Sequence, residues 1–220
     1  SFTAAYNNER EIAYLFLPVN GAPPYQTVIM FPGAGAILDK SPLNAREEKW
    51  FIDYIIKSGR AVMYPIYKGT YERNDGMTFA MRRSSQSFQY TDWLIKWVKD
   101  FSRSIDYLET RPDINSAKLG YYGASWGGAL GGIIPAVENR LKVSVLIVGG
   151  FHPWNSAFPE ADVRNYVPRV KIPVLMLNGK FDMIFPYEKA VKPFFDLLGT
   201  NKNNKKLCLY DTDHFVPKSE

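Results

Sequence analysis

The chain has 220 residues, of which 46% are apolar and 22% charged, with a formal net charge of +5. That length suits one domain with a sizeable core, and the composition excludes a disordered, collagenous or disulfide-stapled chain. The single cysteine, Cys208, rules out an internal disulfide and, in the apolar run Leu207 to Tyr210, reads as a buried structural thiol. Lysines and arginines are scattered. The one small cluster, Lys202, Lys205 and Lys206, reads as a solvated loop, so no nucleic-acid partner is expected. No apolar run reaches the length of a membrane span, so no membrane partner is expected either. The chain opens on Ser1-Phe2-Thr3 without an initiating Met or a signal-peptide pattern, and it stops six residues after His214. It therefore reads as a single domain trimmed from a longer protein, with covalent fusion to other domains as an expectation.

Taken in order, Glu11 to Leu17 has strand-like apolar content and is closed by Pro18 and the turn Asn20-Gly21. Thr27 to Phe31 is wholly apolar after Thr27, as a strand buried on both faces would be, and it stops at Pro32-Gly33-Ala34-Gly35. Helical spacing runs from Asn44 or Ala45 to Ile56, including Trp50, and Gly59 closes it. Ala61 to Ile66 is the next strand. Lys68 to Met81 is polar and reads as a loop. A long helix is expected over Ser87 to Thr110, with Trp93, Leu94, Trp97, Val98, Phe101, Ile105 and Leu108 at three- and four-residue steps.

Lys118 to Tyr122 is a short strand, and Ala129 to Asn139 begins as a helix. Lys142 to Val148 is a strand, Gly149 to Val170 is irregular, and Pro173 to Asn178 is a strand. Tyr187 to Leu198 is helical, with Pro193 predicting a kink or restart, and Lys206 to Tyr210 is the last strand. Strands alternating with helices predict a mostly parallel central sheet with helices on both faces. Phe151 to Arg169 is too short for a lid domain and allows only a minimal cap.

Between the strand at Tyr122 and the helix lies Gly123-Ala124-Ser125-Trp126-Gly127-Gly128. A serine between two glycines at a strand-to-helix turn resembles the nucleophile elbow of the α/β-hydrolases. The glycines have a steric reason: the tight turn forces the serine into a strained conformation, and larger neighbours would collide with the strand and helix. A serine hydroxyl is a weak nucleophile at neutral pH, so it needs a base and an orienting carboxylate, in the chain order Ser, acid, His. His152 follows the elbow too closely. His214, just past the last strand, is the expected base. Asp182, in the loop after Pro173 to Asn178, is the expected acid. Asp213, Asp211 and Glu188 compete for that role.

An oxyanion hole requires two backbone N–H groups. Trp126, the residue after the serine, supplies one, and Ala34 is expected to supply the other, with Gly33 or Gly35 as neighbours able to do so. Pro32 has no N–H to give. Tyr67, Trp126, Phe151, His152, Trp154, Phe181 and Phe185 fall near strand ends and suggest an aromatic pocket, with Tyr67 and Phe151 as first choices for substrate binding. Two distant histidines and one cysteine give no metal-ligand spacing, so no metal or other cofactor is expected.

On Gly123 to Gly128, on Ile172 to Gly179 leading to Asp182, and on the Asp213-His214 end, the chain resembles the dienelactone hydrolase and prolyl-oligopeptidase-like branch of the α/β-hydrolases, over roughly Val28 to His214. More narrowly, Tyr64 to Arg73 and Ser104 to Asp113 look like hydrolase domains attached to bacterial serine/threonine-kinase-like multidomain proteins. The dienelactone hydrolases use a cysteine where this chain has Ser125. The resemblance therefore implies a serine carboxylesterase that cleaves small acyl esters through an acyl-enzyme. A catalytically silent binding or regulatory module, and a peptidase, are the alternatives.

Overall fold

A computed structural model of the chain describes residues 1–43, 46–152 and 157–216, with residues 46–51 described as backbone only. The expected helix start at Asn44 or Ala45, the side chain of Trp50, and Trp154 lie outside this description. Among the described residues eight strands follow one another as β1 (Phe2–Thr3), β2 (Arg10–Phe16), β3 (Tyr25–Phe31), β4 (Ala61–Ile66), β5 (Ile114–Ala124), β6 (Leu141–Ile147), β7 (Val174–Gly179) and β8 (Lys205–Tyr210). Six α-helices lie between them, again among the described residues: α1 (Arg46–Lys57), α2 (Phe79–Arg83), α3 (Phe88–Glu109), α4 (Trp126–Leu130), α5 (Ile134–Val137) and α6 (Lys192–Leu197).

The residues cluster into two units. The first comprises residues 1–30 and 34–120, the second residues 31–33 and 121–220. In the first, the strand order is β1-β2-β4-β3, followed by the first part of β5. β4 runs parallel to β3 and antiparallel to β2. The β3–α1–β4 passage explains the parallel pair, because two parallel neighbours need a crossover segment between them. All six residues of β4 are buried. The long helix α3 starts at Ser87, whose hydroxyl accepts the Tyr90 N–H at 3.1 Å as an N-cap. Its buried stripe is the expected one, Trp93, Leu94, Trp97, Phe101, Ile105 and Leu108, with Val98 half-buried. Asp100 and Ser104 also lie in that stripe, fully buried. The expected loop Lys68 to Met81 contains a short 3-10 turn, Tyr71–Arg73, and runs into α2.

In the second unit the last part of β5 is followed by β6, β7 and β8, with β6–β7 and β7–β8 parallel. The helix expected from Ala129 to Asn139 is instead two short helices, α4 and α5. Gly131 and Gly132 separate them: a Cβ on Gly131 would come within 2.2 Å of Leu146, and one on Gly132 within 2.6 Å of Val163. The chain is thus packed too closely there for any side chain, and packing overrides helical spacing. Pro193 restarts a helix, since a single wide turn over Tyr187–Val191 gives way to α6 with Pro193 in its first turn. Cys208 is half-buried, not buried as its apolar neighbours implied, because β8 is the outermost strand. Among the described residues, Phe151 to Arg169 contains only two 3-10 turns, Val163–Asn165 and Val167–Arg169.

Candidate active site

β5 ends at Ala124, and Ser125 turns the chain directly into α4 with φ 51° and ψ −101°. That conformation is costly for a residue with a side chain, so its surroundings must hold it. They do so through close approach. A Cβ on Gly123 would stand 2.3 Å from the Gly127 carbonyl oxygen, and one on Gly127 would stand 2.2 Å from the Phe31 carbonyl oxygen. The Ser125 N–H donates to Ile147 O at 2.8 Å, and the Gly127 N–H donates to Pro32 O at 3.0 Å. The Tyr121 hydroxyl donates to Gly127 O at 2.6 Å. The steric reason for the glycines, legible in the motif, is thus met atom by atom.

Two loops leave the ends of β7 and β8 and remain paired beyond the strands. The Lys180 N–H donates to Tyr210 O at 2.8 Å and the Phe181 N–H to Thr212 O at 2.9 Å. A Cβ on Gly179 would lie inside bonding range of the Asp213 carbonyl, so only glycine allows the two loops to approach this closely. The pairing brings Asp182 and His214 together. His214 Nδ1 lies 2.7 Å from Asp182 Oδ2, and His214 Nε2 lies 2.8 Å from Ser125 Oγ. The other carboxylate oxygen, Oδ1, accepts the N–H groups of Ile184 at 2.7 Å and Phe185 at 2.9 Å.

The Asp182 side chain is fully buried, and that of His214 is 27% exposed. Burial pushes the Asp182 carboxyl up. The hydrogen bond from His214, the two backbone N–H groups and the charge of His214 outweigh it and hold the carboxyl below the ordinary aspartate value. An ionised Asp182 can only accept, so Nδ1 carries the imidazole proton and Nε2 is left to accept from the Ser125 hydroxyl.

The competing carboxylates lie elsewhere. Asp211 pairs with Lys180 Nζ at 2.6 Å, and Asp213 and Glu188 are exposed. Asp182 also caps the turn that follows it: one oxygen accepts the Ile184 and Phe185 N–H groups while the other faces His214.

Trp126 is the first residue of α4, where a backbone N–H has no acceptor within its own helix. Its indole is buried edge-on against Phe31, with ring centroids 5.1 Å apart. Gly33 runs close beside the serine: a Cβ on it would be 3.7 Å from Ser125 Cβ. Ala34 follows Gly33 in the chain and opens the 3-10 turn Ala34–Ile37.

Two expected wall residues are placed otherwise. Tyr67 has no exposed surface, and its hydroxyl donates to Met30 O at 2.7 Å. Phe151 is buried, its ring 5.0 Å from that of Phe194 and beneath the Arg164 guanidinium at 4.9 Å. Both side chains are packed in the interior. Phe181 is exposed and Phe185 fully buried, while His152 is half-buried with its ring 4.8 Å from that of Phe185. Among the described residues no three His, Cys, Asp or Glu side chains group as metal ligands, and no helix is long and apolar enough to cross a membrane.

The sequence profile of the family described as PETase, PET hydrolase-like, matches residues 17–220. No curated protein matches the sequence. Among solved structures, a cold-adapted esterase from an Arctic intertidal metagenomic library, bound to PEG, is 18% identical. The match covers 97% of this chain and 83% of that one, with a TM-score of 0.74. Acetyl xylan esterase 1 from Thermoanaerobacterium sp. is also 18% identical, covering 96% of this chain and 76% of that one, with a TM-score of 0.73. Est1E from Butyrivibrio proteoclasticus, solved with ferulic acid, is 16% identical, covering 97% and 91%, with a TM-score of 0.69. At these identities the likeness is one of fold: an eight-stranded, mostly parallel sheet with helices, the α/β-hydrolase architecture.

Proposed function

The chain belongs to the PET hydrolase-like family and is a carboxylic ester hydrolase of the α/β-hydrolase superfamily, and from that premise we propose that it works as a serine esterase through Ser125, His214 and Asp182. The observation that supports this most directly is the unbroken line of contacts, 2.8 Å from Ser125 Oγ to His214 and 2.7 Å from His214 to Asp182. Ser125 attacks the ester carbonyl while His214 Nε2 takes its proton. The imidazolium that forms is stabilised by Asp182, whose depressed pKa keeps it charged.

The negative charge on the former carbonyl oxygen is met by the Trp126 N–H at the start of α4. The assignment of the second donor to Ala34 rests on the sequence pattern around Pro32-Gly33. His214 then gives its proton to the departing alcohol, leaving an acyl-enzyme on Ser125. Water, deprotonated by His214, attacks the acyl carbon, and the acid is released as Ser125 regains its proton. Small acyl esters are the proposed substrates, a reading supported by the likeness of fold to esterases such as acetyl xylan esterase 1.

The test is hydrolysis of p-nitrophenyl acetate, butyrate and octanoate, and of a terephthalate diester, by wild type, Ser125→Ala and His214→Ala. Both variants are expected to lose on the order of 10⁴-fold or more in kcat, because triad members act as a unit. Fluorophosphonate labelling of Ser125 in the wild type completes the test. A wild type that neither turns over nor labels would overturn the proposal in favour of a silent binding module.

A further inference from the structure

Phe185 touches both partners of the serine at once. Its backbone N–H donates to Asp182 Oδ1 at 2.9 Å. Its ring lies nearly parallel to the His214 imidazole, with centroids 5.9 Å apart and planes 26° apart. The same ring packs on His152 at 4.8 Å, and Phe185 has no exposed surface, so it is held rigidly.

The two hydrogen bonds of His214 leave one motion unconstrained. They act through Nδ1 and Nε2, on opposite sides of the ring, and so fix a line through the imidazole. Tilting of the ring about that line breaks neither bond. His214 is also partly open to solvent, so water is free to compete for Nε2 as the ring tilts. A flat, immobile neighbour stacked on one face resists this tilt while permitting motion within the ring plane. In-plane motion is what His214 requires during the reaction, because the proton taken from Ser125 Oγ must be delivered to a different oxygen, that of the leaving alcohol. Offset stacking at this separation is within the favourable range for aromatic pairs.

We propose that Phe185 is a positioning residue of this esterase, its main chain fixing Asp182 and its ring holding the His214 imidazole in the plane that passes the proton from Ser125 to the leaving group. The proposal rests on the Ser125–His214–Asp182 reading above. It assigns no contact with substrate to Phe185, which is buried. Loss of the ring should therefore change kcat and leave KM alone, a split that a wall of the substrate pocket would not produce.

The experiment compares Phe185→Leu and Phe185→Met, which keep an apolar side chain but lose the flat face, with Phe185→Tyr, which restores it. Phe101→Leu, a fully buried phenylalanine of α3, is the stability control. Rates are measured on p-nitrophenyl butyrate well below each variant's Tm and normalised to titrated active sites, with Ser125→Ala run in parallel. Phe185→Leu and Phe185→Met are expected to lose about 10- to 100-fold in kcat with KM within twofold, the scale of a small misplacement of a catalytic group. Phe185→Tyr is expected to recover most of it, and Phe101→Leu to lower Tm without lowering kcat.

Near-wild-type kcat in both Leu and Met variants would overturn the proposal, as would an equal loss in Phe101→Leu, or a folded Phe185→Tyr no better than Leu. Activity persisting in Ser125→Ala would sink the triad reading itself and this inference with it. A dead Ser125→Ala beside an unaffected Phe185→Leu sinks this inference alone.

Discussion

Each unit of the chain buries an aspartate, and the two are held in opposite ways. Asp182 in the second unit receives two backbone N–H groups and one imidazole, and has no second carboxylate beside it among its hydrogen-bonded partners. Its pKa is depressed. Asp100 in the first unit is as deeply buried and as well bonded. It accepts from the Tyr6 hydroxyl at 2.7 Å, the Lys68 N–H at 2.8 Å and Arg73 Nη1 at 2.8 Å. Yet it lies near a second buried carboxyl, Glu11 on β2, whose Oε1 accepts the Ser104 hydroxyl at 2.7 Å.

Burial, and then the charge of Asp100, push Glu11 up to about 9, against weaker pulls from Ser104 and Arg73. Burial raises the Asp100 carboxyl as well, so the pair keeps a proton at neutral pH, and Arg73 on Asp100 biases that proton toward Glu11. Hydrogen-bond count is similar in the two places. What differs is the neighbour: a base that can take charge reversibly beside Asp182, and a fixed cation plus a second acid beside Asp100. In the proposed mechanism the first arrangement moves a proton during turnover, whereas the second stores one.

The contrast predicts that equivalent cuts have different readouts. The largest effect is expected from Asp182→Asn, which preserves the shape but removes the charge that selects the His214 tautomer. kcat should fall about 10⁴-fold; a fall of less than tenfold would place the orienting acid elsewhere.

Arg73→Ala should act the other way. Its side chain is 7% exposed and it pairs with a fully buried Asp100, so its loss leaves an uncompensated charge. About 3–5 kcal/mol of stability should go, read from the denaturant midpoint, while the folded fraction keeps its kcat. A fall in kcat without a fall in stability would break the contrast.

The smallest effect is one of slope. Between the ordinary glutamate value and about 9, folded Glu11 keeps a proton that the unfolded chain has released. Its contribution to stability is therefore fully present below the unfolded pKa and is lost as pH rises through that window. Glu11→Gln keeps an acceptor for Ser104 and does not titrate, so its Tm should decline less than that of wild type between pH 5 and pH 9. Parallel Tm–pH profiles would show that Glu11 does not hold the proton. For Asp182 the sign is reversed: its stabilisation is present above the unfolded aspartate pKa and is lost as pH falls through the lower, folded value.

The strands were largely legible, because a buried parallel strand is an unbroken apolar run; Ala61–Ile66 is the plainest case. The stripe of α3 was legible too, by its spacing. The same spacing places Asp100 and Ser104 on the buried face, and that was the available signal for the acid cluster, a charged residue in step with Trp93, Trp97 and Ile105. Where the Tyr67 and Phe151 rings turn was not legible, because position near a strand end says nothing about which way a ring turns. Tyr67 turns to the Met30 carbonyl and Phe151 to Phe194.

By itself, then, the sequence determined what depends on neighbours along the chain. Gly123 and Gly127 flank a serine that only glycines would let turn, Ser87 starts a helix, and Pro193 restarts one. Gly123 against Gly127, the Ser87 cap and Pro193 are matters of a few residues, decided by local sterics, whereas Gly127 is also required by the approach of Phe31 from β3. Tertiary structure alone decided which aspartate faces His214, across a separation of 32 residues, and that His214 reaches Ser125 across 89. It also decided that Phe185 lies against the imidazole and that Glu11 meets Asp100. Chain order pointed to Asp182 and His214 as candidates, but the contacts themselves are set by strand order and by how closely the loops can approach, as at Gly179 against Asp213.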